Sequence, residues 1–508
     1  MIARLLRAPV ALTAPALLAA VAALVPLVYL IDTSFSRGVG AVVDEIFLGR
    51  TAVLVVRTLA LTVVVTMACA IVGTLNAWFV VRSSVPMRPL WLMLLAMPLA
   101  IPSYLSGFAW ISWIPSLDGF VGASIVLTLA SYPYVMLPVA AMLRGTDPML
   151  EDVARSLGVG PTAAMMRVTL RQIAPAIWAG SLLVALYIVS DFGAVAAMRL
   201  ETFTWVIYGA YRSGFNPTRA ATLSLVLVAL ALLLVALERR LRHRVSQRVG
   251  SGIARRSVRS SPLHLVVATG VFAVGSIGLG VGVPVVSAIS WMQSAQTSTD
   301  WNDLWSTIAA TLGVGALTGV ASLLLALPVG ILIARFKGRF TDLTEGAVFV
   351  THSLPGIVVA LAVVYFGINL VRPLYQQLPL LVFGQVIIFL PLVVGSVRTS
   401  IEQSRVALED VSRSLGVSRM QTVFRVTIPL ALPGVMAGGA LAVLGAMKEL
   451  PTTLLLRPTG VETLATSIWK HSVVSDFAAV GPYAVALVVI AALPTALLST
   501  VTVLKVVK

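Results

Sequence analysis

Apolar residues run along this chain in stretches of twenty or so, broken by short polar or basic connectors. Read as helices, stretches of that length each cross roughly 30 Å of hydrocarbon. Twelve can be drawn, approximately at residues 10–31, 58–81, 90–112, 121–143, 175–198, 221–237, 263–291, 305–334, 347–370, 380–397, 433–447 and 482–504. Segments such as 221–237 are almost continuously apolar, which excludes the alternating pattern of a membrane β-barrel. The pattern predicts an all-α polytopic membrane protein with about twelve transmembrane helices. The first span follows Arg4 and Arg7 as a signal peptide would, but its apolar run continues to Ile31 and reads as a retained anchor.

Composition narrows the class. Of 508 residues 58% are hydrophobic and 11% charged, against roughly a quarter charged in soluble domains. A soluble globular protein is excluded. Cys69 stands alone in an apolar run, so neither a disulfide framework nor a cysteine metal site is available. The formal charge of +16 would suggest a nucleic-acid partner until its distribution is read. With both termini cytoplasmic, 26 of the 36 basic residues fall on the inner side, while the 20 acids divide almost evenly. The excess is topological, and no nucleic-acid partner is needed to explain it.

The densest basic run is Arg239, Arg240, Arg242, Arg244, Arg248, Arg255, Arg256 and Arg259. It reads as a cytoplasmic linker against anionic lipid head groups. It separates residues 1–238, a first transmembrane domain, from residues 263–508, a second, with 239–262 as the linker. The two domains are copies. Residues 151–180 align without gaps to 409–438 with 14 identities in 30 positions. The same offset of 258 pairs Asp191 with Glu449, and an offset of 253 pairs Thr58 with Thr311 and Pro102 with Pro355. An even number of spans separates the copies, so both six-span repeats run in the same direction.

The repeat is most exact in a loop expected on the cytoplasmic side, beyond the reach of a solute inside the membrane, which points to docking of another protein. Glu151 and Asp152 stand where a short helix would begin, suited to the positive end of its dipole. Val153 and Leu157 share one face, and Gly158 ends the helix by turning left-handed. Glu409, Asp410, Val411, Leu415 and Gly416 repeat the arrangement. An amphipathic connector resting on head groups is the blander reading.

With its following Arg-Val-Thr, this acidic-Val-Ala/Ser-Arg-Ser-Leu-Gly pattern resembles the coupling motif of ABC importer permeases of the type I fold. The resemblance covers essentially the whole chain as two fused permease domains. It implies that the loops dock on two ABC ATPase subunits, as a homodimer, which bind ATP and Mg, and that an extracytoplasmic solute-binding protein delivers the cargo. It further implies a multi-pass protein of the bacterial inner membrane, working by alternating access. Arg171 departs from the pattern where the second copy has Pro429, and a slightly different elbow is expected there. The segments 190–195 and 447–458, with the fused architecture, resemble the ferric-iron importer permeases, while related permeases carry thiamine, phosphonates or other small solutes.

The chain lacks a P-loop and even a Gly-Lys pair, so it is expected to be no enzyme and to bind no cofactor itself. The four histidines show no i,i+4 pairing, and no metal ligand is assigned. Asp191 and Glu449 are candidates for the translocation path, because charge at membrane depth is costly; the alternative is structural, with Lys448 adjoining Glu449 and Arg199 or Arg457 pairing with either acid. Pro102 and Pro355 are candidate kinks in gating helices, with plain packing kinks as the alternative. Gly315 and Gly319 form a Gly-x-x-x-Gly expected at a close helix contact. Two other classes fit a many-span chain. A secondary carrier would need coupling charges within the membrane, and a polytopic glycosyltransferase would use Asp44 and Glu45 as catalytic acids. Neither explains the duplicated loop.

Overall fold

A computed structural model describes residues 9–83, 85–146, 148–212, 216–245, 263–294 and 300–507. Hydrocarbon offers the backbone no hydrogen-bond partner, so apolar spans must satisfy their amides internally. Among the described residues the ordered elements are all helical. Nine helices among these residues are long and apolar enough to cross a membrane, and two further spans are bent pairs. Helix Phe477–Val507 occupies the position of the twelfth.

The bent pairs fall at the two candidate prolines. Helix Arg88–Ala100 meets Ser103–Trp113 at 89°, and Arg339–Ser353 meets Gly356–Asn369 at 111°. Pro102 and Pro355 both sit extended at the break, with ψ near 140°, immediately before the second helix. These are full breaks, larger than the kinks expected, because an extended residue interrupts the helical hydrogen bonding altogether. The fifth and eleventh spans also differ from their sequence bounds. They run Met166–Ser190 and Arg419–Lys448, so Pro175 and Pro433 lie inside them, where neighbouring helices make an interior proline tolerable. Both end before the acid: Asp191 and Glu449 are extended, and short helices Gly193–Ala197 and Pro451–Leu456 follow.

The 258-residue repeat divides the chain in the middle; the compact units divide it otherwise. One unit comprises Met1–Asp44, Ala210–Leu225 and Thr299–Lys470, the other Glu45–Gly209, Val226–Ser298 and His471–Lys508. In the first, the opening helix Val10–Phe35 lays Leu12, Ala16 and Ala19 into a core with Ala326, Val329, Leu390 and Val435 of the second repeat. In the other, helix Leu263–Ile277 of the second repeat packs with first-repeat helices: Ala273 joins their core, Ser276 accepts from Asn76 Nδ2 at 3.1 Å, and Gly270 lies against Phe79. Each repeat thus contributes its opening helix to the unit built mainly from the other. Alanine and glycine at these contacts allow the close approach that drives helix association where lipid removes the hydrophobic term.

Glycine does the same inside the units. A Cβ on Gly319 would lie 2.5 Å from Val443 and one on Gly315 2.9 Å from Met447, so the Gly-x-x-x-Gly is a close helix contact as expected. Gly180, within the aligned repeat, approaches the Val135 backbone in the same manner. Of the basic linker, residues 239–245 continue the helix Pro217–Val245, while Arg248, Arg255, Arg256 and Arg259 lie outside the described residues.

Candidate functional site

The duplicated loops fold as the same device twice. Helices Pro148–Ser156 and Val406–Ser414 begin three residues before Glu151 and Glu409, earlier than the acids suggested, which leaves both acids still in the first turn. At the other end Gly158 (φ +85°) and Gly416 (φ +82°) are left-handed. Gly158 N–H donates to Arg155 O at 3.0 Å and Val159 N–H to Ala154 O at 3.1 Å; Gly416 and Val417 make the same pair with Arg413 and Ser412. This is the Schellman closure, which needs a residue free of a Cβ penalty at the left-handed position.

The apolar stripe stays uncovered. Val153 and Leu157 are 50% and 78% exposed, and Val411 and Leu415 56% and 77%. The acids face different ways. Asp410 pairs with Arg413 on its own helix. Asp152 is half-buried. Glu151 accepts from Thr169 Oγ at 3.2 Å, and Glu409 accepts from Arg335 Nε at 2.9 Å, so both glutamates tie the loop helix to its surroundings besides favouring the helix dipole. The Arg-Val-Thr of each copy lies in a five-residue π turn, Met165–Thr169 and Val423–Thr427. The two elbows share this form despite Arg171 and Pro429. Pro429 follows directly on this π turn, inside the continuous span Arg419–Lys448.

Asp191 and Glu449 each cap the short helix that follows. Asp191 is 7% exposed; its Oδ1 accepts from Ala194 N–H at 2.9 Å and its Oδ2 from Ser103 Oγ at 2.5 Å. Glu449 is half-buried; its Oε1 accepts from Thr452 N–H and its Oε2 from Thr453 N–H, both at 3.0 Å. The pairing with Arg199 or Arg457 does not occur among the described residues; Arg457 pairs instead with Glu462 at 2.6 Å. The proline breaks lie beside the acids. Ser103 directly follows Pro102, and Gly356, directly after Pro355, is close enough to Glu449 that a Cβ there would stand 3.1 Å from Oε1. The structure therefore joins Pro102 to Asp191 and Pro355 to Glu449, each pair within one unit.

Sequence reasoning passed over the residues that complete these sites. In one unit Tyr187 also stands beside Asp191, close enough to interact with it electrostatically. In the other, Thr453 leads to a buried chain in which Gln385 Nε2 donates to Thr453 Oγ at 2.9 Å and Thr318 Oγ donates to Gln385 Oε1 at 2.7 Å. A lone Gln or Thr within an apolar span was the available signal, since such residues are costly there unless paired.

Comparison with known proteins agrees with this architecture. Residues 70–247 and 326–505 each match the family described as binding-protein-dependent transport system inner membrane component. The chain is 32% identical to the Fe(3+)-transport system permease protein FbpB 2 of Haemophilus influenzae, over 93% of its own length and 94% of that protein's. Two shorter matches accompany it. The molybdenum transport system permease protein ModB of Haemophilus influenzae is 32% identical over 29% of this chain and 70% of that one. The sulfate transport system permease protein CysT of Escherichia coli is 27% identical over 35% of this chain and 71% of that one. Two copies of one domain, the same loop helix in each, and a relative similar along nearly the whole length agree. The chain belongs to the family of binding-protein-dependent transport system inner membrane components, as a multi-pass permease carrying that domain twice.

Proposed function

We propose that this permease imports Fe(III), delivered by an extracytoplasmic binding protein and driven by two identical ATPase subunits that dock on helices Pro148–Ser156 and Val406–Ser414. The observation that carries the docking is the pair of exposed stripes, Val153 with Leu157 and Val411 with Leu415, set on helices of matching closure. Apolar anchors four residues apart on a short helix suit a groove in a partner. The Lys and Arg distribution supports an orientation with both termini and both loop helices in the cytoplasm. ATP and Mg are bound and turned over by the partner subunits. Because their ATP-bound form must favour one arrangement of the membrane helices over another, the loop helices have to carry that preference inward.

Iron is supported by the full-length likeness to a relative named for Fe(3+), whereas the molybdenum and sulfate permeases match about a third of the chain. Asp191 and Glu449 belong to the translocation path in this reading. Their oxygens hold the two short helices, and their hard-donor chemistry suits a passing Fe(III). Pro102 and Pro355 place breaks beside them and serve as gating hinges. Family membership removes the secondary carrier and the glycosyltransferase, and with them any catalytic part for Asp44 and Glu45. The test is uptake of Fe(III), thiamine, phosphonate, molybdate and sulfate by the chain assembled with its ATPase subunits and binding protein. Saturable, ATP-dependent uptake of Fe(III) alone is expected; uptake of another solute instead overturns the assignment to iron, and absence of bound ATPase subunits overturns the docking.

A further inference from the structure

Arg82 and Arg335 are the final residues of the two long helices Gly49–Arg82 and Trp301–Arg335, and lie 253 positions apart, the offset of the Thr58 and Thr311 repeat. Both are largely buried: Arg82 is 8% exposed, and the Arg335 side chain 13%. Arg82 Nη2 donates to Thr146 Oγ at 2.9 Å. Arg335 Nη2 donates to Ser404 Oγ at 2.6 Å and to Ile401 O at 2.8 Å, and its Nε reaches Glu409. Thr146 and Ser404 lie 258 apart, the offset of the loop repeat, and each hydroxyl donates to the carbonyl three residues back, Leu143 O or Ile401 O. The same guanidinium-to-hydroxyl-to-carbonyl arrangement thus stands at the root of both loop helices. It connects the end of one long span to the end of the span from which the loop departs.

We infer that Arg82 and Arg335 are positioning residues of the transport cycle: each clamps the root of a loop helix to the end of a long membrane helix, so that movement imposed on the loop is delivered to that helix. The inference rests on the docking of ATPase subunits proposed above. The connectors between the spans and the loop helices are short, residues 145–147 in one repeat and Ser404 with Arg405 in the other. Left to itself, such a connector takes up displacement by backbone rotation. The Arg335 guanidinium, which donates to the Ser404 hydroxyl, the Ile401 carbonyl and Glu409 together, removes that freedom, because its planar fork fixes direction as well as distance, and Arg82 holds Thr146 by one such bond. A lysine in its place keeps the charge and loses the fork.

The experiment uses the full complex of this chain, its ATPase subunits and its binding protein in vesicles, with the variants Arg335→Lys, Arg82→Lys, their double, and Ser404→Ala. Three quantities are read: ATPase subunits retained per chain, ATP hydrolysed, and solute imported per ATP, with the solute taken from the panel above as the one the unaltered chain imports. The expected result is full retention of subunits with solute per ATP lowered about tenfold in Arg335→Lys, the size set by losing one charge-assisted hydrogen bond. The double variant falls further, and Ser404→Ala, which loses a single acceptor, falls less. A merely structural arginine would lower the yield of complex and leave the ratio unchanged, and that outcome overturns the inference. Should Arg335→Lys not insert, Ser404→Ala decides on the same ratio. An unaltered chain that retains no ATPase subunits overturns the docking and this inference together, whereas a retained complex with an unchanged ratio overturns this inference alone.

Discussion

The two repeats are alike at the loop helices and unlike at the acids, and the contrast separates what must be duplicated from what need only fit. Asp191 is bonded by Ser103 and stands beside Tyr187; the positions equivalent to these two in the other repeat are Gly356 and Gly445. The shorter acid is met by the Ser103 hydroxyl and the longer one stands against Gly356, while the space beside Gly445 is taken by the Phe389 ring. Behind them the difference reverses. The buried polar chain Thr318, Gln385 and Thr453 corresponds to Val65, Leu127 and Val195, all three in the apolar core of the other unit. Two complete solutions to one packing problem coexist, each closed within itself, as dense interiors require.

The largest effect is expected where the repeats agree. Gly158→Val and Gly416→Val each force a β-branched residue to φ above +80°, a conformation costing roughly 1–2 kcal/mol or more. A Cβ at either position would meet nothing within 4 Å, so the penalty is conformational and similar in both. Loss of ATPase association and uptake in both variants, measured by co-purification and vesicle transport, would confirm equivalent loops. Full retention in both would remove the docking assignment.

Exchanging the acids tests the unlike region. Asp191→Glu has to add a methylene at a buried position held by Ser103 and should cost about 1–3 kcal/mol by overpacking. Glu449→Asp meets no such crowding but falls short of the Thr452 and Thr453 amides, losing a helix cap worth ~1 kcal/mol. Thermal unfolding in detergent should rank them in that order, and Gly356→Ser should lessen the loss in Glu449→Asp by supplying the hydroxyl that Ser103 supplies. Uptake by Asp191→Asn with Glu449→Gln bears on the path separately: lost transport in an intact, hydrolysing complex supports the path role, and unchanged transport removes it.

A smaller change is expected in the polar chain. Gln385→Leu alone strips Thr318 of its acceptor and should destabilise by ~1–2 kcal/mol. Adding Thr318→Val and Thr453→Val, which copies Val65, Leu127 and Val195, should restore most of the loss in the same unfolding measurement. If the triple variant is no better than the single one, the two repeats are not interchangeable packings. Least affected should be transport by chains with several linker arginines changed to Gln. The linker's attraction to anionic head groups should weaken by about 1 kcal/mol per charge near the surface, with import per ATP in vesicles unchanged.

Hydropathy, charge placement and the self-similarity of residues 151–180 with 409–438 by themselves determined the all-α membrane class, the doubled domain and the loop helices with their glycine ends. These are local or periodic properties: a span is legible because lipid demands roughly twenty apolar residues, and a left-handed end because glycine tolerates it. The repeat could not show that each opening helix packs into the unit of the other repeat, since alanine and glycine faces carry no address. Nor could it join Ser103 to Asp191 or Arg335 to Ser404, 88 and 69 positions apart. Those partners lie on different helices, and which side chains meet is decided by how the helices cross, a property of packing that no local pattern in the chain records.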